Sequence, residues 1–321
     1  MRALHLTSHD LQPKIATLDA PAPQRGEVAV TIMACGLNFA DLLMMEGRYQ
    51  DTPALPFTLG MEVAGTVESL GDGVSGLSRG DRVAVFGGQG GLAEQGVFDA
   101  RRAVRMPSSM SFEDAAAFQI AYGTSHLALN HRAKLQAGET LLVLGAAGGV
   151  GLTAVEIGKL MGARVIACAR GADKLEIARK AGADHLIDAR AEDIRERVLA
   201  LGGSDVVYDA VGGDQFTAAF RSCKPEARIL SIGFASGEVP QIKANHLLVK
   251  NLTIMGLYWG GYLTFAPDIL TGSLAQLFSW YEEGRIRPHV SHVLPLERAI
   301  EGLELLRSRK STGKVVIRTQ E

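Results

Sequence analysis

The chain has 321 residues, of which 47% are hydrophobic and 21% charged, and its formal net charge is −2. That length suggests two domains at roughly 100–200 residues each, and the charge balance argues against the broad basic face of a nucleic-acid binder. Cys35, Cys168 and Cys223 are far apart and odd in number, which excludes a disulfide framework and a Cys-x-x-Cys metal pair. No basic and apolar leader opens the chain, and no apolar run reaches the roughly 18 residues of a membrane span. The expectation is a cytoplasmic protein with reduced thiols and no membrane partner.

Residues 1 to about 118 read mostly as short strands between turns, among them 28–34, 63–70 and 82–86. Turn signals stand at Gly71-Asp72-Gly73 and Gly87-Gly88. One helix is expected at 39–46, opening just after Asn38. From about 119 the rhythm changes to strand 140–144, helix 150–161, strand 164–168, helix 173–181, strand 186–187 and helix 192–201. Segments 206–208, 216–223 and 228–232 continue it. Such alternation argues parallel βαβ units with right-handed crossovers. The run 252–258 is apolar enough for an exposed sheet edge or a buried strand. Two amphipathic helices, 269–283 and 296–308, and a last strand at 313–318 close the chain. The fold class expected is α/β, a β-rich domain followed by a doubly wound parallel sheet.

Strand 140–144 runs directly into Gly145-Ala146-Ala147-Gly148-Gly149-Val150-Gly151. Ala146 stands where the first glycine of a dinucleotide fingerprint follows, while Gly148 and Gly151 keep the other two small positions. A pyrophosphate needs close backbone approach and the free N–H groups of a helix start. Ala146, Ala147, Gly148, Gly149, Val150 and Gly151 are therefore the expected phosphate cradle. The next strand ends at Ala169-Arg170-Gly171 with no acid at its tip to meet a ribose 2′-hydroxyl. Arg170 and Lys174 offer charge to a 2′-phosphate instead, which points to NADPH, although Asp173 lies beside them.

Asn38-Phe39-Ala40-Asp41, Leu59-Gly60-Met61-Glu62-Val63-Ala64-Gly65, Gly80-Asp81-Arg82-Val83, the glycine loop and Ala181-Gly182-Ala183-Asp184 together resemble the medium-chain dehydrogenase/reductase superfamily. The likeness continues to Gly313-Lys314-Val315-Val316-Ile317, and the zinc-independent quinone oxidoreductases match best. The resemblance implies a GroES-like substrate domain at 1–122, a Rossmann domain at 123–262 and a segment at 263–321 returning to the first domain. Zinc alcohol dehydrogenases of that superfamily carry a cysteine where this chain has Asn38, and Gly-His-Glu where it has Gly60-Met61-Glu62. An amide and a thioether do not replace those ligands, so no metal is expected. Without a Lewis acid, the expected acceptor is already electron-poor.

The resemblance also implies site residues. Asn38 is expected beside the nicotinamide, where its amide donates to the acceptor oxygen, or else caps the following helix. Tyr49 lines the acceptor pocket or is a packing tyrosine. Thr124 and Gly233 contact the cofactor, and Arg190 assists Arg170 and Lys174. Tyr258 and Trp259 wall the substrate or simply pack. The function implied is NADPH:quinone reduction. Alternatives are an NADPH-dependent enone or enoyl-thioester reductase and, from another class, a non-catalytic nucleotide-sensing or RNA-binding relative. Homodimers joined through an edge strand of the second domain are implied as well.

Overall fold

A computed structural model describes residues 1–320 of the chain. The chain forms two compact units, Met1–Ile120 with Arg287–Glu321, and Ala121–Ile286.

The first unit is built on a mixed sheet. Its order is Val290–Pro295, Lys314–Arg318, Glu27–Gly36, Glu62–Leu70, Arg82–Phe86 and Ala103–Arg105, with Gln95–Asp99 also pairing with Glu27–Gly36. A small sheet of Lys14–Thr17, Arg2–Leu6 and Phe57–Thr58 accompanies it. The long strand Glu27–Gly36 is rich in β-branched residues (Val28, Val30, Thr31 and Ile32) and is buried along most of its length. Its antiparallel register with the C-terminal strand sets Val316 opposite Gly36, and its register with Glu62–Leu70 sets Glu62 opposite Gly36. Continuing the first register brings Lys314, 276 residues away in sequence, beside Asn38.

The second unit contains six strands, all parallel, in the order His185–Asp188, Arg164–Ala169, Thr140–Leu144, Ser204–Asp209, Cys223–Ser231 and Thr253–Gly256. This is the doubly wound dinucleotide-binding order, and the winding reverses beside Thr140–Leu144. That strand is fully buried, as expected of one flanked on both sides. Leu142, Leu144, Ile166, Val207 and Ile229 from the sheet pack with Ile194, Val198 and Phe216 from the helices into one core. Thr253–Gly256 ends the sheet, so the run around it is an edge strand and not an interior one.

The return to the first unit begins at Arg287, later than the expected 263. Helix Pro267–Glu282 stays with the second unit because it packs on the helix Gln119–His126. There His126 Nδ1 lies 2.7 Å from Ser273 Oγ, and its ring meets Trp280 edge-on at 5.2 Å. Burial pushes His126 down to about 4, so it is neutral there and has a packing role. No helix among the described residues is long and apolar enough to cross a membrane.

Candidate functional site

In the second unit the cradle follows the buried strand Thr140–Leu144. Gly145 takes a positive φ of 68°, and Gly148 N–H donates to Gly145 O at 3.0 Å, turning the chain into helix Gly149–Leu160. Ala146 N–H donates to Cys168 O, which ties the loop to the neighbouring strand. Two of the glycines are needed for different reasons. A Cβ on Gly151 would stand 2.2 Å from Gly145 O, so close packing of helix on turn requires it. A Cβ on Gly148 would meet nothing nearer than 3.4 Å, its φ is −81°, and it is exposed. No steric contact inside the protein demands glycine at 148, which holds the N-cap place of helix Gly149–Leu160.

The same carboxyl edge gathers the other expected cofactor residues. Ala169 is level with Asp188, so Arg170 and Arg190 leave adjoining strand ends. The Arg190 guanidinium lies 3.5 Å from where a Gly171 Cβ would be. Lys174 sits in the first turn of helix Ala172–Lys180. Asp188 Oδ1 accepts from the amides of Gly171 and Arg190, both at 3.0 Å. Those amides hold the Asp188 carboxyl below its usual range, so it stays ionised and ties the two loops. Gly233 follows strand Cys223–Ser231, and its N–H donates to Asp209 O.

Thr124 is buried in helix Gln119–His126, next to Ser125. Ser125 Oγ donates to Val150 O at 2.9 Å and lies 2.8 Å from Thr153 Oγ1 and 3.1 Å from Tyr208 Oη. This buried hydroxyl chain pins the first turn of the cradle helix. Neither Ser125 nor Tyr208 stood out in the sequence, because a serine in a helix and a tyrosine in a strand carry no local signal of meeting. Trp259 is buried against Gly123, where a Cβ would be 2.4 Å from its Nε1, so Trp259 is a packing residue. Tyr258 remains partly exposed.

In the first unit Asn38 precedes helix Phe39–Met45. Its backbone N–H donates to Asp41 Oδ2 at 2.7 Å, so Asn38 holds the helix-capping place through its main chain. Its side chain is engaged elsewhere. The Nδ2 group donates to Gly36 O and to Glu62 Oε2, both at 3.2 Å, while Oδ1 accepts from Lys314 Nζ at 2.7 Å. Both amide N–H groups thus have partners within this unit. Glu62 is fully buried and also accepts from Lys314 Nζ at 2.9 Å and from Ile120 N–H at 2.9 Å.

Burial, and more weakly Glu62, raises Asp41 to about 7, against the amides of Asn38 and Gly60 and the charge of Lys314. Burial, then Asp41 and Glu62, pushes the Cys35 thiol well above its usual range. Tyr49 is half-buried beyond the helix. Burial, then Asp51 and Asp41, pushes it up to about 12, so its hydroxyl keeps its proton and can donate.

The chain matches the alcohol dehydrogenase GroES-like domain family over residues 24–108 and the zinc-binding dehydrogenase family over residues 149–274. The quinone oxidoreductase-like protein 2 homolog of Nematostella vectensis is 42% identical over 301 residues, 92% of this chain and 82% of that protein. The synaptic vesicle membrane protein VAT-1 homolog of Homo sapiens is 32% identical over 315 residues, 92% of this chain and 80% of that one. The crystal structure of Escherichia coli quinone oxidoreductase complexed with NADPH is similar at a TM-score of 0.92 and 31% identity, covering 99% of each chain.

The residues here do not fit a catalytic zinc. Asn38 and Met61 offer an amide and a thioether, the nearby Cys35 thiol is held protonated, and the oxygens of Asn38 and Glu62 already meet an ammonium.

Proposed function

This chain belongs to the medium-chain dehydrogenase/reductase superfamily of oxidoreductases, and on that premise we propose that it reduces a quinone with NADPH, without zinc. NADPH, when bound, supplies a hydride from C4; the quinone takes it with one proton from solvent, giving NADP⁺ and hydroquinone. The observation that carries the reading is Gly148, a glycine that no steric contact in the fold demands, at the exposed start of a helix. Backbone N–H groups of Gly149, Val150 and Gly151 at the helix start receive the pyrophosphate there, while Gly148 N–H stays on Gly145 O and Ser125 and Tyr208 keep that turn in place. Arg170, Lys174 and Arg190 at the adjoining strand ends take the 2′-phosphate, and Thr124 and Gly233 complete the cofactor contacts.

In the first unit Asn38 is a cofactor contact through its carbonyl oxygen. Tyr49 is the catalytic candidate: a protonated hydroxyl that donates to the acceptor oxygen as negative charge builds there. A donor of that kind also suits an enone, whose oxygen needs more polarisation than a quinone's, and this favours enone reduction as the second reading. Three buried free thiols suit the reducing cytoplasm. Homodimerisation fits the edge strand Thr253–Gly256 and the preceding helix Ala244–Lys250, which has no buried residue and leaves Leu248 78% and Val249 76% exposed.

The test is NADPH oxidation by protein purified with a chelator, offered 1,4-benzoquinone, 1,4-naphthoquinone and 2-alkenals in turn. Turnover on quinones without metal is expected. Activity that appears only with added zinc and an alcohol would refute the reading.

A further inference from the structure

We propose that Lys314 is a positioning residue for Asn38: its ammonium, seated between Asn38 Oδ1 and Glu62 Oε2, fixes which face of the Asn38 amide a hydroxyl-bearing ligand meets. The observations are geometric. Lys314 opens a strand whose next three residues are Val315, Val316 and Ile317, is buried, and reaches Asn38 Oδ1 at 2.7 Å and Glu62 Oε2 at 2.9 Å. A lysine in such a place has to be paired, since burying a lone ammonium is strongly unfavourable. Glu62 provides the pairing charge and is itself fully buried.

The pair has a consequence for Asn38 that neither partner would produce alone. An ammonium only donates, so the atom of the amide turned toward it must be the carbonyl oxygen. Glu62 Oε2 and Gly36 O only accept, so they hold the NH₂ group on the other side. The amide cannot turn over without placing N–H against ammonium and oxygen against carboxylate. A carbonyl oxygen accepts two hydrogen bonds, and Lys314 takes one. The remaining lone pair suits a ligand that donates a hydroxyl, and NADPH carries such hydroxyls on its riboses. The C-terminal strand therefore does more than complete the sheet: it delivers the cation that orients a residue 276 positions earlier. This inference rests on the reading that Asn38 meets the bound cofactor.

Two measurements on the full chain separate the clamp from that reading. The first needs no ligand. In ¹⁵N-labelled protein the Asn38 side-chain NH₂ pair is assigned by its loss in Asn38→Ala. It is expected to stay in place in Lys314→Arg, which keeps a donating cation, and to shift or broaden in Lys314→Met. The second is NADPH affinity by fluorescence titration. Asn38→Ala and Lys314→Met each raise the Kd about tenfold, of the order of one lost hydrogen bond to a charged or pre-set partner. The double variant is expected to be no weaker than Asn38→Ala alone. Should Lys314→Met unfold because Glu62 is left uncompensated, Glu62→Met with Lys314→Met replaces the pair by apolar side chains of similar length. Its NADPH affinity is expected to fall as for Asn38→Ala, and unchanged affinity in this paired variant overturns the proposal; its amide signal moves in any case, because Nδ2 also loses Glu62 Oε2. An Asn38 amide signal unmoved by loss of Lys314, or losses that simply add in the double variant, overturns the proposal. Wild-type protein that fails to bind NADPH overturns the cofactor reading alone, and the amide signal still decides the clamp.

Discussion

Replacing Gly148 and Gly151 by alanine in separate proteins distinguishes a glycine kept for a ligand from one kept for the fold. In Gly151→Ala the new methyl would lie 2.2 Å from Gly145 O and 2.8 Å from Gly145 C, both backbone atoms. Real Cβ contacts do not fall below 3.0 Å, so helix and turn must separate by close to an ångström. Overpacking of this kind costs about 1–3 kcal/mol, offset by up to ~1 kcal/mol of better helix propensity. The net is a lower melting temperature. In Gly148→Ala the methyl meets only Gly145 O at 3.4 Å, an ordinary contact, and a φ of −81° suits alanine. The folded protein keeps its stability to within about 1 kcal/mol, because the less flexible unfolded chain offsets the poorer N-cap that alanine makes. The methyl nevertheless stands over the amides that receive the pyrophosphate, so NADPH affinity falls about tenfold or more, the scale of one lost charge-assisted hydrogen bond. Thermal melting and NADPH fluorescence titration of the two variants provide the comparison. Wild-type affinity in Gly148→Ala would refute the argument, as would a melting loss equal to that of Gly151→Ala.

Arg170→Ala with Lys174→Ala should weaken NADPH at least about tenfold more than NADH, since each charge-assisted phosphate bond is worth about 1.5–3 kcal/mol; titrations giving equal losses for the two cofactors would remove these residues from the 2′-phosphate. Asp41 is raised from 3.8 to about 7, so the folded chain holds a proton there that the unfolded chain releases. Its contribution is fully present below about pH 4 and is lost as pH rises toward 7, so Asp41→Asn should gain on the wild type across that window, by at most about 1.4 kcal/mol per pH unit. Denaturant melts at several pH values check this, and parallel curves for the two proteins would contradict it. Leu248→Asp with Val249→Asp should convert a sedimenting dimer to monomer at micromolar concentration; an unchanged sedimentation coefficient for a dimeric species would locate the interface elsewhere.

The parallel half of the fold was legible because its signals are local. The apolar run Thr140–Leu144, the glycines after it and the helical spacing of Gly149–Leu160 each declare themselves within a dozen residues. The glycine turn into that helix was legible for the same reason. The Asn38 site was legible only as a position. Its chemistry depends on Lys314, which a strand register brings back from the far end of the chain, and no local pattern encodes a pairing of that separation. Lys314 at the head of Val315-Val316-Ile317 and Glu62 at the head of Val63-Ala64-Gly65 were the available hint, since a charge beginning a buried strand requires a partner. The end of the second unit was misplaced because helix Pro267–Glu282 is amphipathic whichever unit it packs on. Only the contacts of His126 with Ser273 and Trp280 decide it.

Single-turnover oxidation of bound NADPH tests the central claim most directly. Protein saturated with NADPH, either unlabelled or carrying deuterium on each face of C4 in turn, is mixed with excess 1,4-naphthoquinone, and the loss of reduced-nicotinamide absorbance is followed in metal-free buffer. Hydride transfer predicts one NADPH consumed per hydroquinone formed, with slower decay for deuterium on one face only and the label lost from the nicotinamide of that sample. Bound NADPH that persists in the presence of quinone, or that decays at the same rate with either label, would contradict the account.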